Sequence, residues 1–197
     1  VRLLIDPTSS YAQAAAFAMG RAMDDVIIAA ATGTASTGET GSGSETAQTA
    51  IAASVGTGTG LNITKLRTAK QLLDLASVDP SIPRHIICGP EQITNLLGTT
   101  EVTSSDFNTV KALVNGEVDT FLGFKFTTST RLAKSGNDRT VIAFAQDGIT
   151  LGIGKDVNAR IDERADKSYA TQVYYCMSIG ATRMEQAKVI GITCTEA

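Results

Sequence analysis

The sequence has no tryptophan and only six Phe and four Tyr. Stacking platforms for single-stranded nucleic acid need more aromatic side chains than that. There is one histidine, His85, so any Ser-His-Asp or Cys-His site must use it. Cys88 follows three residues later, but an extended backbone puts the two side chains on opposite faces. No GxSxG elbow is present. The three cysteines (Cys88, Cys176, Cys194) are odd in number, form no CxxC pair and sit in apolar strand-like runs. They read as buried free thiols in a reducing compartment. One His and scattered Cys supply no zinc set of usual spacing. A formal net charge of −3 gives no electrostatic reason for nucleic-acid or membrane binding. No apolar run has the length of a membrane span, and no signal peptide is visible. The chain begins at Val1 without a Met and reads as a piece of a longer protein.

The dominant feature is the stretch DPTSSYAQAAAFAMGRAMDDVIIAAATG, from Asp6 to Gly33. Asp6 is a good N-cap, with Pro7 at the first helical position. Ala-rich sequence favours helix, and Gly33 is a natural stop. Tyr11, Ala15, Ala18, Ala22, Val26 and Ala29 recur at helical spacing and define the expected inner face. A helix from Pro7 to Ala31 is roughly 37 Å long at about 1.5 Å per residue. Its small residues, Gly20 among them, admit close backbone approach, so it reads as a structural spine.

Residues 32–60 are rich in Gly, Ser and Thr, a mobile loop followed by an edge strand within Thr46–Val55. A second helix is expected over Leu61–Ser77, capped by Asn62. Asn62-Ile63-Thr64 also matches a glycosylation sequon, which the cap explains. RHIIC (Arg84–Cys88) reads as a short buried strand. A third helix follows over Glu91–Leu97, closed by Gly98, and a fourth from Ser105 or Asp106 through Val114. Thereafter the period is two. Val118, Phe121, Phe124 and Phe126 lie on extended segments bending at Gly123. Thr140–Ala145 is a strand. Asp147-Gly148 signals a hairpin with Ile149–Ile153 returning. Val157–Arg164, Gln172–Ile179 and Lys188–Cys194 complete the strands. Helices first and antiparallel-looking strands later predict an α+β fold.

The glycine runs at 38–43 and 56–60 do not fit GxxxxGK[ST] or a strand-to-helix GxGxxG, and Gly152-Ile153-Gly154-Lys155 lacks the preceding glycine spacing, so all three read as loops. Asp24 and Asp25 point about 100° apart on a helix and do not converge on one ion; they are candidates for a solvated or subunit-facing patch. Arg160, Asp162, Glu163, Arg164, Asp166 and Lys167 alternate in sign on an extended segment. Either they form a solvated face or they form a salt-bridge strip between copies, since mixed charge suits self-complementary contacts. No catalytic, cofactor-binding or metal-binding residues emerge.

Four stretches, in this order and spacing, resemble the C-terminal two-thirds of a tailed-bacteriophage (or prophage) major capsid protein of the Hong Kong 97 fold. They are the Asp6–Gly33 stretch, RHIICGPEQITNLL, GEVDTFLGFKFTTSTRL, and GITLGIGKDVNARIDERADKSYATQVYYCMSIGATRMEQAKVIGI. The resemblance implies a spine helix packed on antiparallel sheet in a peripheral domain (residues 1–60), a mixed α/β axial domain (61–180) and a return strand to the peripheral domain (181–197). It also implies that the N-terminal arm and extended loop of the family, which precede the spine helix, lie outside this chain. Function would then be shell formation: pentamers and hexamers of an icosahedral head enclosing double-stranded DNA, assembled in the host cytoplasm. Partners would be copies of itself, with scaffold, portal or decoration proteins; DNA would be held only non-specifically, with no membrane and no cofactor. Two alternatives stand beside it. One is an encapsulin-like compartment shell; the other is a small α+β enzyme or ligand-binding domain using residues 32–60 as a lid.

Overall fold

The computed structural model describes residues 7–36, 45–46, 49–56, 58–98 and 120–196. The fourth helix expected near Val114 lies outside these residues. The chain divides into two units: residues up to Ile27 with Leu151–Ala181, and Ile28–Thr150 with Thr182–Ala197.

Helix α1 spans Pro7–Thr32, about 39 Å at the usual rise. In the first unit it runs beside a ribbon of two long strands, β9 (Ile149–Arg164) and β10 (Ala170–Arg183). Gly152 lies against Gly180 and Gly154 against Ser178, which sets an antiparallel register. The Tyr175 hydroxyl donates to the Ala12 carbonyl at 3.3 Å, fastening ribbon to helix. The half-buried stripe of α1 is Ala12, Ala15, Met19, Ala22 and Val26. Tyr11, Ala18 and Ala29 of the expected inner face are exposed instead, as is Gly20, which has open space around it. Alanine is compatible with either side, so an Ala-rich helix gives a weak rotational signal.

The second unit is built on a seven-stranded sheet. In chain order its members are β3 (Thr49–Ile51), β4 (Arg84–Cys88), β5 (Thr120–Phe121), β6 (Phe124–Thr128), β7 (Lys134–Ser135), β8 (Asp138–Ala145) and β11 (Val189–Thr195). The spatial order is β3-β11-β8-β4-β6-β5, with β7 also on β8. A small separate pair joins β1 (Ala35–Ser36) to β2 (Glu45–Thr46). The sheet is mixed: β4 runs parallel to β6 and β11 parallel to β3, and the other pairings are antiparallel.

The Asp147-Gly148 turn forms, with Gly148 N–H donating to the Ala145 carbonyl at 2.8 Å. The expected hairpin does not, because β11 lines one edge of β8 while β4 and β7 occupy the other. With both edges saturated, β9 leaves the sheet and pairs with β10.

Alternation sorts the strands' side chains onto two faces. Ile86, Cys88, Phe124, Phe126, Val141, Ala143, Ile190 and Ile192 pack under α2 (Ile63–Leu75) and α3 (Pro90–Leu97), against Leu66, Ala69, Leu73 and Leu96. Ile142 and Val189 on the opposite face meet Ile28 and Ala31 from the last turns of α1, and Leu132.

Asn62 caps α2 as its sequence implies, its side-chain oxygen accepting from Lys65 N–H at 2.8 Å. The helix ends at Leu75 rather than Ser77. Val78 N–H reaches the Leu73 carbonyl and Ser77 N–H the Asp74 carbonyl, at 3.2 and 3.0 Å, the Schellman arrangement. Ser77 sits at the left-handed position of that motif with φ +57°. Glycine holds this conformation without the Cβ penalty, so Ser77→Gly should raise stability by about 1 kcal/mol, some 3 °C in Tm. A thermal melt checks it; an unchanged or lower Tm contradicts the reading. Leu122 (φ +52°) and Gly123 (φ +84°) form the tight turn between β5 and β6, where the bend was expected.

Candidate subunit-contact surface

The groups that chemistry would need are scattered or quenched. His85 is half-buried on β4, its ring stacked on Phe144 with centroids 5.7 Å apart. Cys88 occupies the opposite face, buried, its thiol pushed up to about 12 chiefly by burial. Burial likewise raises the Cys194 thiol to about 11. Both therefore stay protonated and unreactive near neutral pH. Among the described residues no three His, Cys, Asp or Glu side chains gather as a metal set.

Two polar clusters are well built; one fastens backbone and the other ties side chains remote in sequence. Lys65 is fully buried, and its ammonium donates to the carbonyls of Thr59, Gly60 and Thr193 at 2.7, 2.8 and 3.0 Å. Asn62 adds bonds to the carbonyls of Val55 and Gly58. Val55, Gly58, Thr59 and Gly60 are thus tied to α2, and through Lys65 to β11, which does not suit a lid. The carboxylate of Glu196 is held by Arg139, by Lys134 at 2.5 Å and by the Gln92 amide at 3.1 Å. The Arg139 hydrogen bond, the largest influence, holds its carboxyl down to about 2, so it stays ionised across the physiological range. Nothing in the sequence marks Lys65 or Glu196. A lysine between Thr64 and Leu66 looks like any solvent-facing helix residue, and the partners of Glu196 are remote along the chain.

A cleft of about 600 Å³ lies between the end of α2, residues 79–84 and the Leu122-Gly123 turn. Its floor holds Arg84, buried, bonded to Asp74 at 2.6 Å and to the Val78 carbonyl at 3.2 Å. Lys70, Asp74, Asp79 and Arg84 give it both signs of charge, with no converging set of reactive groups.

The predicted contact residues fall in the first unit. Asp24 is exposed and Asp25 half-buried on α1. Arg160, Asp162, Glu163, Arg164, Asp166 and Lys167 are all exposed on β9 and the turn after it. Alternation puts Arg160, Asp162 and Arg164 on one face of the ribbon and Glu163 on the other. Arg164 pairs within the chain to Asp166 at 2.8 Å. Across the ribbon, Gln172 and Tyr174 of β10 join Asn158, Arg160 and Asp162 of β9 to line a shallow basin. The other face carries Val157, Ala159, Ile161, Val173 and Tyr175. Ile161 and Val157 are 53% and 38% exposed, and Tyr169 and Tyr174 are 71% and 50% exposed. Sequence patterning located this surface; its apolar side went unremarked because a strand of alternating charge draws attention to the charges.

Comparison with known proteins gives a consistent picture. The family model described as phage capsid protein matches residues 1–196. No curated protein sequence matches the chain. Among solved structures, one from Mycobacterium phage Che8 superposes with TM-score 0.67 at 16% identity, covering 94% of this chain and 62% of its own. The capsid of the cyanophage P-SCSP1u gives 0.71 at 18% identity, covering 100% and 68%. The capsid asymmetric unit of cyanophage Pam1 gives 0.72 at 14% identity, covering 100% and 71%. The chain therefore spans about two-thirds of the length of the structures it matches. The fold is of the Hong Kong 97 type.

Proposed function

We propose, from the premise that this chain belongs to the phage capsid protein family, that it is the tile of an icosahedral head that encloses double-stranded DNA. Membership makes it a shell-forming structural protein and a component of a virion. The finer statement is that it closes into pentamers and hexamers. The observation that carries it is the family match along residues 1–196 on a Hong Kong 97-type fold. Physical chemistry supports a role in geometry over one in catalysis. The Cys88 and Cys194 thiols are buried and protonated, and the best-built polar clusters hold segments remote in sequence together.

In this reading the unit of α1 and the ribbon is the peripheral domain, and the unit of the seven-stranded sheet is the axial domain around the five- and six-fold axes. Strands β3 and β11 then belong to the axial domain, since they extend the sheet of β8 and β4. Assembly takes place in the bacterial cytoplasm, with scaffold, portal and decoration proteins as the further partners.

The test is electron microscopy and sedimentation of the full-length gene product expressed in bacteria. Closed shells with pentameric and hexameric capsomers are expected. A product that remains monomeric at every concentration and salt tried refutes the reading. Nucleic acid within particles from infected or induced cells distinguishes a phage head from a compartment filled with protein cargo.

A further inference from the structure

At one corner of the seven-stranded sheet three elements meet on a single carboxylate. Glu196 is 5% exposed and accepts from Arg139 on β8 through both Nε and Nη2, from Lys134 on β7 and from Gln92 on α3. Its backbone N–H donates to the Asn137 carbonyl at 2.8 Å, in the turn between β7 and β8. Beside it the Thr195 hydroxyl donates to Asp138 at 2.6 Å. Arg139 Nη1 reaches on to the Leu132 carbonyl at 3.1 Å. Gln92 is fully buried and its amide oxygen has no hydrogen-bond partner among the described residues, so the bond to Glu196 is what holds the group. The corner closes over a glycine: a Cβ at Gly89 would stand 2.5 Å from Gln92 Oε1 and 3.3 Å from Arg139 Cδ.

We propose that Glu196 is the bolt of a latch: its ionised carboxylate holds α3 and the β7–β8 turn closed on the sheet, and its release opens this corner as a local unit while the rest of the sheet stays folded. The inference does not depend on the shell reading. Release leaves Arg139 and Lys134, two cations drawn together by one anion, facing each other. It also leaves the Gln92 amide buried without a partner. Unpaired buried charges and donors are unfavourable, and movement out to water removes the penalty. Helix α3 is free to make that movement. It has eight residues between Gly89 and Gly98, and a helix so short draws its stability from packing and not from itself. The opening stops at Thr193, whose carbonyl is tied separately to buried Lys65 at 3.0 Å. Beyond that point the ladders of β11 with β8 and of β8 with β4 are continuous.

Acid is the release. The carboxyl is held down to about 2 in the closed corner and has its ordinary value of 4.5 once freed. Closure is therefore fully favoured above pH 4.5, and the advantage is lost as pH falls toward 2. The other ionisable groups here are Glu91 on α3, which acts on Arg139, Asp138 on β8, and the buried Cys194 thiol, which stays protonated.

The experiment is native-state amide exchange of the purified full chain, from pH 7 down to pH 3. Glu196→Gln keeps the shape and removes the charge. It should speed exchange at residues 91–97 and 134–139 at least about tenfold, with residues 84–88 and 189–193 at the parental rate. Gly89→Ala should do the same by displacing Gln92 and Arg139; its effect at 134–139 is one that a change at the α3 cap alone would not produce. In the parent, protection at 91–97 and 134–139 should fall below pH 4.5. Glu196→Gln retains Glu91 and Asp138, so the part of the acid response it loses belongs to Glu196. Uniform acceleration across the sheet, parental rates at either segment in Glu196→Gln, or equal acid responses in parent and variant overturn the latch. Should the variants fail to fold, the parent decides: opening confined to the two segments in acid supports the latch, and opening nowhere or everywhere at once overturns it.

Discussion

Lys65→Met is expected to destabilise the seven-stranded unit by about 3 kcal/mol. Methionine keeps most of the stem that packs in the core and removes only the ammonium. The three carbonyls it served, Thr59, Gly60 and Thr193, lie on two segments far apart in sequence. The Thr59 oxygen keeps the Thr195 N–H at 2.9 Å, so the loss falls mainly on the other two. A buried acceptor left without its donor costs about 1–3 kcal/mol. Relief from burying a charge works in the opposite direction, since burial pushes the Lys65 pKa down. That relief is the smaller effect, because the ammonium has three short hydrogen bonds in place of its water. Urea denaturation of parent and variant measures the difference; equal midpoints would mean that the cradle contributes nothing.

Linkage adds a pH signature to the same substitution. The folded state binds the Lys65 proton less tightly than the unfolded chain, whose value is the ordinary 10.5. Where the unfolded state holds more protons, stability rises with pH. The contribution of this titration is therefore complete above 10.5 and is lost as pH falls through the depressed folded value. The gap between parent and Lys65→Met should widen as pH is raised toward 10.5. A gap that narrows over that range reverses the sign and defeats the argument.

Arg183→Met should cost about 2–3 kcal/mol and loosen the last turn of α1. Arg183 is only 5% exposed, and its guanidinium donates to the Ala31 carbonyl at 3.2 Å. That carbonyl is among the last four of the helix, which have no intrahelical donor. A cation there also opposes the negative end of the helix dipole. The turn it holds carries Ile28 and Ala31 into the core beside Leu132, Ile142 and Val189. Gly33 N–H to the Ala29 carbonyl and the Thr32 hydroxyl to the Ile28 carbonyl remain in the variant, at 2.8 and 2.9 Å. The loss should therefore be local: faster amide exchange at residues 28–33, with α2 and α3 unaffected. Exchange that accelerates uniformly across the chain would show that the contact supports the whole fold and not the helix end. Lys at this position should recover part of the loss, because it restores the charge without the planar fork.

The local elements were legible in the residues themselves. A Pro at N1 and Gly33 at the end bounded α1 to within one residue of Pro7–Thr32. Asn62 announced the start of α2, and Gly89-Pro90 with Gly98 framed α3. RHIIC was a buried strand on composition alone. The position of the charged strip was also legible, since six charged residues in an extended run cannot be buried together. These features depend on neighbours within about four residues, where capping, turn chemistry and periodicity act.

What the tertiary structure alone decided is which segment lies beside which. Period-two alternation tells a strand which face is apolar and nothing about its neighbour. Nothing in Phe124–Thr128 says that it runs parallel to Arg84–Cys88, nor in Val189–Thr195 that it lies between β3 and β8. The Asp147-Gly148 turn was read correctly and the hairpin was not, because edge occupancy is a property of the assembled sheet. Lys65 and Glu196 follow the same logic: an ion inside a protein is tolerable only where distant backbone and side chains converge on it, and that convergence exists only after the sheet has closed.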